Sequence, residues 1–400
     1  MQILKAFKFR IYPNHSQQAE LAKQFGAARF VYNHYRAVRE GYYLDTGTGL
    51  SYVDCANDLT QQLKAGHPWL KEADSQVLQQ ALKDLDRAYV NFFAGRAAYP
   101  TFHSKHDKQS IRYPQRFKIS EKRIYLPKVG WVKTVFHRPR PEGTRGLMKN
   151  CTVSRTKTGR YFVSIQCELE APDPTQKIEA VGIDLGLTTF AALSDGSKID
   201  KPKHLYRSQR RLQIRQRSAQ RAPGRKVKGS KHRHQARLPI ATLHERVANQ
   251  RKDFQHKLSR ELVNKYGSIS FESLNVAGMV KNHHLAKSIS DASWSQFVGF
   301  CEYKAAWSGG QVLRVDRFFP SSKLCSDCGH KNKNLTLNIR QWVCLNCGVG
   351  FPLGHDRDTN AAINILNQTT VGATESYATG DTSVLVETSA RQKPNAFRLG

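Results

Sequence analysis

The chain is short of negative charge. Its 400 residues carry 32 Asp+Glu against 63 Lys+Arg, a net charge of +31 at pH 7. Such a chain repels itself unless a polyanion neutralises it, and nucleic acid, gripped through its phosphates with release of counterions, is the expected partner. Long apolar runs are missing too. No stretch reaches the roughly 18 residues of a membrane span, and no cationic amphipathic anchor stands beside a lipidation signal, so no membrane partner is expected. The first ten residues alternate charged and apolar side chains and lack a signal-peptide core. Cysteine is sparse at eight residues, and half of these fall in one short stretch. That leaves no disulfide framework, and a reducing cytoplasm is the expected compartment. Cys55, Cys151, Cys167 and Cys301 read as buried thiols. A 39 % share of hydrophobic residues is enough to fold, and the length implies two or three domains.

What is present centres on residues 320–366. Cys325-Ser-Asp-Cys328 and Cys344-Leu-Asn-Cys347 are two Cys-x2-Cys knuckles separated by fifteen residues, each followed by a glycine, Gly329 and Gly348. This is the spacing of a four-thiolate Zn²⁺ ribbon, and glycine permits the tight turn that a knuckle needs. A closed four-cysteine site has no open position for a substrate. It is structural, and the chemistry lies elsewhere.

Before it, residues 3–12 read as a strand with Phe7, Phe9 and Ile11 on one face and Lys8 and Arg10 on the other. Pro13-Asn14 ends it. Leu21, Phe25, Ala28, Tyr32 and Tyr35 then mark an amphipathic helix ending near Gly41, with further helices at about 51–65 and 74–94. From Tyr99 to Glu170 the period becomes two, in short strands divided by Pro and Gly turns. The expected architecture is a small β-barrel, completed by the first strand (1–15) and residues 99–172, with a helical insertion at 16–98. Ala171-Pro-Asp-Pro-Thr175 is the expected domain boundary.

Beyond it, Ala180-Val-Gly-Ile-Asp184-Leu-Gly-Leu187 is a buried strand in which Asp184 shares a face with Ala180, Gly182 and Gly186. Small neighbours leave room over the carboxylate, as in a cleft. The pattern recurs at Ser268-Ile-Ser-Phe-Glu272-Ser273. A third acid, Asp358, opens an alanine-rich helix in which Ala361 and Ala362 permit close approach to a sheet. Singly, each is explained as a strand-end residue or a helix cap. Together they would gather over one sheet and hold a pair of Mg²⁺ ions for phosphodiester cleavage, activating water and stabilising the leaving oxygen.

Residues 201–257 hold 18 Lys+Arg against Glu245 and Asp253, a net +16 that is about half the charge of the chain. A turn at Ala222–Ser230 would make this a basic helical hairpin, about 201–265, gripping a phosphate backbone. Arg207, Arg210, Arg211, Arg215, Arg217, Arg251 and Lys252 are its candidate contacts. Past Gln368 the chain is polar and aperiodic, the signature of a disordered tail over 368–400.

These residues resemble the TnpB family, insertion-sequence-encoded relatives of the type V CRISPR effector nucleases. The likeness runs through Arg29-Phe-Val-Tyr-Asn33, Tyr99-Pro-Thr-Phe102, Leu126-Pro-Lys-Val-Gly-Trp131, Gly182-Ile-Asp-Leu-Gly186, Phe271-Glu-Ser-Leu-Asn275, Ser288–Trp294, Tyr303–Trp307, the cysteine ribbon and Asp356-Arg-Asp-Thr-Asn-Ala-Ala362. It implies an α/β and β multidomain chain: a β-barrel (wedge-like) domain with a helical, REC-like insertion, then a split RNase H-like (RuvC) nuclease domain over 176–367 carrying the zinc ribbon at about 320–350. It maps a catalytic Asp, Glu and Asp onto Asp184, Glu272 and Asp358, choosing the second acid of Asp356-Arg-Asp358. It further implies a guide RNA from the transposon end, a double-stranded DNA target beside a short flanking motif, a co-encoded transposase as partner, and a nucleoid-associated prokaryotic setting. Pairing would read the sequence while protein reads the flanking motif. One departure stands out. Seven residues, Gly348–Gly354, separate Cys347 from His355 where the family implies fewer.

The reading is an RNA-guided, Mg²⁺-dependent DNA endonuclease. Its rivals are a guided repressor that no longer cuts, a transposase acting directly on transposon ends, and an inactive zinc-ribbon RNA-binding protein, which leaves the recurring carboxylates unexplained.

Overall fold

A computed structural model describes residues 2–138, 148–170, 179–221, 227, 230–336, 338–350 and 354–378, with side chains to residue 370. The expected boundary at Ala171–Thr175 and most of the turn between Ala222 and Ser230 lie outside them. The chain divides into two compact units, Met1–Pro172 with Tyr206–Asn249, and Asp173–Leu205 with Gln250–Gly400. Most of the basic stretch thus groups with the first unit, not with the carboxylate strands that flank it in sequence.

The first unit opens with β1 (Gln2–Tyr12), whose alternation buries Ile3, Phe7, Phe9 and Ile11 and turns Lys8 outward over the ring of Phe162. Asn14 caps α1 (His15–Thr46), accepting from the Gln17 N–H while the Gln17 side chain accepts from its own N–H. The helix passes through Gly41 and stops at Gly47, whose φ of 69° supplies the left-handed cap. A mid-helix glycine only weakens a helix, whereas a left-handed residue ends it. Next come α2 (Tyr52–Asp58), a π-turn (Leu59–Leu63), α3 (Lys64–Gly66), a 3₁₀ turn (Pro68–Glu72) and α4 (Ser75–Phe93). They bury Val31, Tyr35, Leu59, Leu70, Leu78, Leu82 and Leu85 against one another.

The strands that follow are β2 (Gln109–Tyr113), β3 (Lys118–Ile119), β4 (Arg123–Leu126), β5 (Gly130–Val135), β6 (Met148–Arg155) and β7 (Tyr161–Glu170). With β1 they form one antiparallel sheet in the order β2-β6-β7-β1-β5-β4-β3. The edge strands β2 and β3 do not pair, so the expected closed barrel is an open half-barrel. Leu21 and Phe25 of α1 and Val77 of α4 pack into its apolar face beside Phe9, Tyr113 and Val163. Helices cover what strand closure would otherwise have sealed.

The second unit is built on a five-stranded sheet of β8 (Ala180–Leu185), β9 (Thr189–Leu193), β10 (Lys198–Asp200), β11 (Ser268–Glu272) and β12 (Gln311–Val315), ordered β10-β9-β8-β11-β12. The first three form an antiparallel meander, and β8, β11 and β12 are parallel. α5 (His204–Arg221) and α6 (Lys231–Lys265) intervene in the chain, followed after β11 by α7 (Val276–Met279), α8 (His283–Ala292) and α9 (Trp294–Trp307). Val181, Ile183, Ile269 and Phe271 bury one sheet face against Leu262, Phe297 and Cys301. After β12 the cysteine stretch leads through β13 (Gln341–Trp342) and β14 (His355–Asp356) into α10 (Arg357–Ala378), which lies on the other sheet face. The helix takes in the first residues of the expected tail. The remainder, from residue 379, lies outside the described residues.

Candidate active site and metal centre

Parallel pairing sets Gly182 against Ser270 and Ile183 against Phe271. Asp184 and Glu272, each one residue further on, stand abreast at the carboxyl ends of adjacent strands. Because side chains alternate, Ile183 and Phe271 fill the core below while the two carboxylates face the side that carries α10. The helix lies unusually close. A Cβ at residue 182 would stand 2.0 Å from the Ala362 carbonyl oxygen, so glycine alone is accommodated, and Ala361 and Ala362 are buried in the contact. Asp358 occupies the first turn of that helix.

The electrostatics register the crowding. Burial, followed by the charges of Asp358 and Glu272, pushes the Asp184 carboxyl up to about 7, with Arg357 and Arg340 pulling the other way. Burial raises Glu272 as well. Asp358 is held by Arg340 at 3.2 Å and by Arg357 at 3.7 Å. Asp356 is engaged elsewhere: it accepts from the Thr359 N–H at 2.9 Å, capping the helix, and pairs with Lys198 of β10 at 2.6 Å. Although burial would raise its carboxyl, these bonds hold it below the usual range. The two acids of Asp356-Arg-Asp358 are thereby separated into a cap and a member of the cluster. The Gly348–Gly354 insertion does not remove Asp358 from Asp184.

The cysteines converge more tightly. Among the described residues, Cys325, Cys328, Cys344 and Cys347 alone form a set of three or more ligand side chains with every ligand atom within 4.8 Å of the others. Cys325 and Cys347 sulfurs are 3.7 Å apart and those of Cys328 and Cys344 3.6 Å, close to the ~3.8 Å edge of a tetrahedron with 2.3 Å Zn–S bonds. Gly329 and Gly348 donate back to the Cys325 and Cys344 carbonyls with φ of 72° and 69°, closing each knuckle. The set can hold a metal ion such as zinc.

The candidate phosphate contacts divide. On α5, Arg207, Arg210, Arg211, Arg215 and Arg217 are exposed, and the buried residue of that helix is Leu212. Lys252 is exposed on α6. Arg251 is not available in the same way. Its Nη1 donates to the Ser290 carbonyl (2.7 Å), the Asp291 carbonyl (3.2 Å) and the Ser293 hydroxyl (3.0 Å), capping the carboxyl end of α8. Sequence reasoning missed Arg340, Lys198, Asn360 and Asn364. A lone arginine after a zinc knuckle carries no spacing signal, and its role follows only from where the ribbon folds.

Sequence comparison adds to this geometry. Residues 164–283 match a family described as "Probable transposase" (OrfB_IS605), residues 294–365 a "Cas12f1-like, TNB domain", and residues 1–47 a "Helix-turn-helix domain". The last segment is here one strand and one unbroken helix. A Streptomyces pristinaespiralis protein named "Putative RNA-guided DNA endonuclease" is 41 % identical over 91 % of this chain and 89 % of its own length. InsQ of Escherichia coli K12, given the same description, is 34 % identical over 92 % of each. In a solved Cas12f1–sgRNA–target DNA complex, a chain aligns over 92 % of this one and 100 % of its own, at 18 % identity and a TM-score of 0.35. The chain belongs to the TnpB (OrfB_IS605) family.

Proposed function

We propose that this protein is an insertion-sequence-encoded, RNA-guided DNA endonuclease whose RuvC-like nuclease centre is formed by Asp184, Glu272 and Asp358. The observation that carries the reading is the convergence of three carboxylates from three distant stretches at one end of a sheet, where burial, followed by the charges of Asp358 and Glu272, lifts Asp184 to about 7. Such crowding costs the metal-free fold stability, and bound cations would offset it, which is the signature of a functional site. The meander joined to two parallel strands supports the RNase H-like assignment, and full-length relatives named as RNA-guided DNA endonucleases support the substrate.

The donors are hard oxygens, which suit Mg²⁺. Bound there, a pair of such ions would supply an activated water and stabilise the leaving 3′ oxygen. The protein's own part is positional. β8 and β11 hold Asp184 and Glu272 on rigid backbone, α10 brings Asp358 over them, and Gly182 sets the depth of approach. Arg340, with about half its side chain exposed, stands where it can meet a scissile phosphate as the Asp358 carboxylate turns to a cation. The four cysteines take zinc as a structural ion. The exposed arginines of α5 hold the phosphates of guide RNA or heteroduplex, and the half-barrel with its helices reads the flanking duplex.

Purifying the protein from cells that carry its native flanking DNA, sequencing the RNA that co-purifies, and adding matching plasmid with Mg²⁺ tests this directly. One defined RNA with linearised plasmid is the expected result. Defined RNA without cutting would establish a guided repressor instead, and cutting without RNA a direct transposase. Arg340→Ala should slow cleavage about 100-fold, as loss of one preorganised charge does, with guide and target binding intact. Equal rates would remove Arg340 from the chemistry.

A further inference from the structure

Helix α10 serves two sites with different faces. Asp358 turns toward the carboxylate cluster, and Ala361, Ala362 and Ile365 are buried, Ala362 against the sheet. Asn360 and Asn364, four residues apart and so on one side of the helix, are buried at 2 % and 6 % exposure. Buried amides are retained only where their bonds are made, and these make theirs to the first cysteine knuckle. Asn360 Nδ2 donates to the Leu324 carbonyl at 2.7 Å, and its Oδ1 accepts from the Ser326 N–H at 2.9 Å. Asn364 Nδ2 donates to the Ser321 and Leu324 carbonyls, both at 2.8 Å. Leu324 and Ser326 flank Cys325, so the backbone on either side of that ligand hangs from the helix bearing Asp358.

A second tie lies one turn earlier. The Arg357 N–H donates to the Arg340 carbonyl at 2.9 Å, and its guanidinium donates to the carbonyls of Thr336 (3.3 Å) and Ile339 (3.2 Å). This seats Arg340 beside Asp358. The ribbon therefore grips α10 at two levels, and neither the knuckle nor the carboxylate can shift without loading the other.

We infer that Asn360 and Asn364 are positioning residues that couple the four-cysteine site to the carboxylate cluster, so that zinc at the cysteines and a divalent cation at the carboxylates bind cooperatively. The inference rests on the metal assignments proposed above. Coupling of this kind is reciprocal, so it can be read from the zinc alone.

The experiment follows transfer of zinc from the full-length protein to a chromogenic chelator, with and without Mg²⁺. Mg²⁺ should slow transfer from the native chain. Asn360→Ala and Asn364→Ala should each release zinc about tenfold faster, as loss of a residue supporting a ligand does, and their release should no longer respond to Mg²⁺. Asn360→Asp, which keeps the acceptor for Ser326, should fall between. Asp358→Ala, which leaves the Asn360 and Asn364 bonds to the knuckle in place, should keep release slower than in the asparagine variants yet lose the Mg²⁺ effect. Zinc release indifferent to Mg²⁺ in the native chain, or alanine variants that match it, would overturn the coupling. Mg²⁺ protection of zinc in a protein that cuts no guided target would leave the coupling standing and sink the nuclease reading instead.

Discussion

Replacing Asp184 by Asn should stabilise the metal-free protein while destroying its activity. In the fold this carboxyl is raised to about 7 by burial and by Asp358 and Glu272, against an ordinary 3.8. A group raised in the folded state holds its proton there after the unfolded chain has released it, so its contribution to stability falls as pH rises from about 4 to 7 and stays lost above. At about 1.4 kcal/mol per pH unit the ceiling is about 4 kcal/mol at pH 8; residual solvent contact at a half-buried group brings this to roughly 2–4 kcal/mol. An amide in place of the carboxylate would carry no such burden. Thermal unfolding in chelator should show native and Asp184→Asn proteins alike near pH 4, with the variant rising progressively above the native protein until pH 8, by several degrees. Adding Mg²⁺ should then close the gap by stabilising the native protein alone. A variant that melts at or below the native midpoint at pH 8, or a gap that ignores pH, would refute the claim that burial and the neighbouring acids raise this carboxyl.

Gly182→Ala forces a methyl to within 2.0 Å of the Ala362 carbonyl, so it should cost about 1–3 kcal/mol in denaturant unfolding and abolish cleavage while RNA still binds; native-like cleavage would show that α10 need not lie so close. Asp74, buried at 3 %, caps α4 through the Gln76 and Val77 N–H groups and pairs with Arg116 at 2.8 Å. Asp74→Ala should therefore lower urea stability by about 2 kcal/mol, whereas a change within about 0.5 kcal/mol, the range of an ordinary surface substitution, would deny the cap its role. Each α5 arginine that meets an RNA phosphate should, when changed to Gln, reduce the slope of log affinity against log salt by about 0.7. Arg251→Gln should leave that slope alone and instead lower stability, since its guanidinium is spent on the α8 carbonyls; the opposite pattern would reverse the two assignments.

Much of this molecule is local, and the local part is legible in the sequence. Alternation along residues 3–12 sets which side chains of β1 are buried, because a strand's period of two is a property of the backbone. Asn14 starts a helix and Gly47 stops it for reasons contained within a few residues, although Gly41 misleads since it, too, is a glycine. Two Cys-x2-Cys knuckles with their glycines announce a four-sulfur cluster before any folding is known. Carboxylates among small residues at 184 and 272, and alanines after 358, mark a helix lying closely on a sheet.

Whatever depends on which distant segments meet had to await the tertiary structure. That the half-barrel stays open follows from α1 and α4 occupying the space closure would need. That Asp356 caps and pairs with Lys198 while Asp358 joins the cluster follows from α10 crossing β8 while Lys198 of β10 reaches the residue just before the helix. Arg251 looks like Arg207 in sequence, yet one meets the carbonyl end of a helix and the other meets solvent. Composition counts charges, but burial and neighbouring dipoles decide which of them remain free to bind.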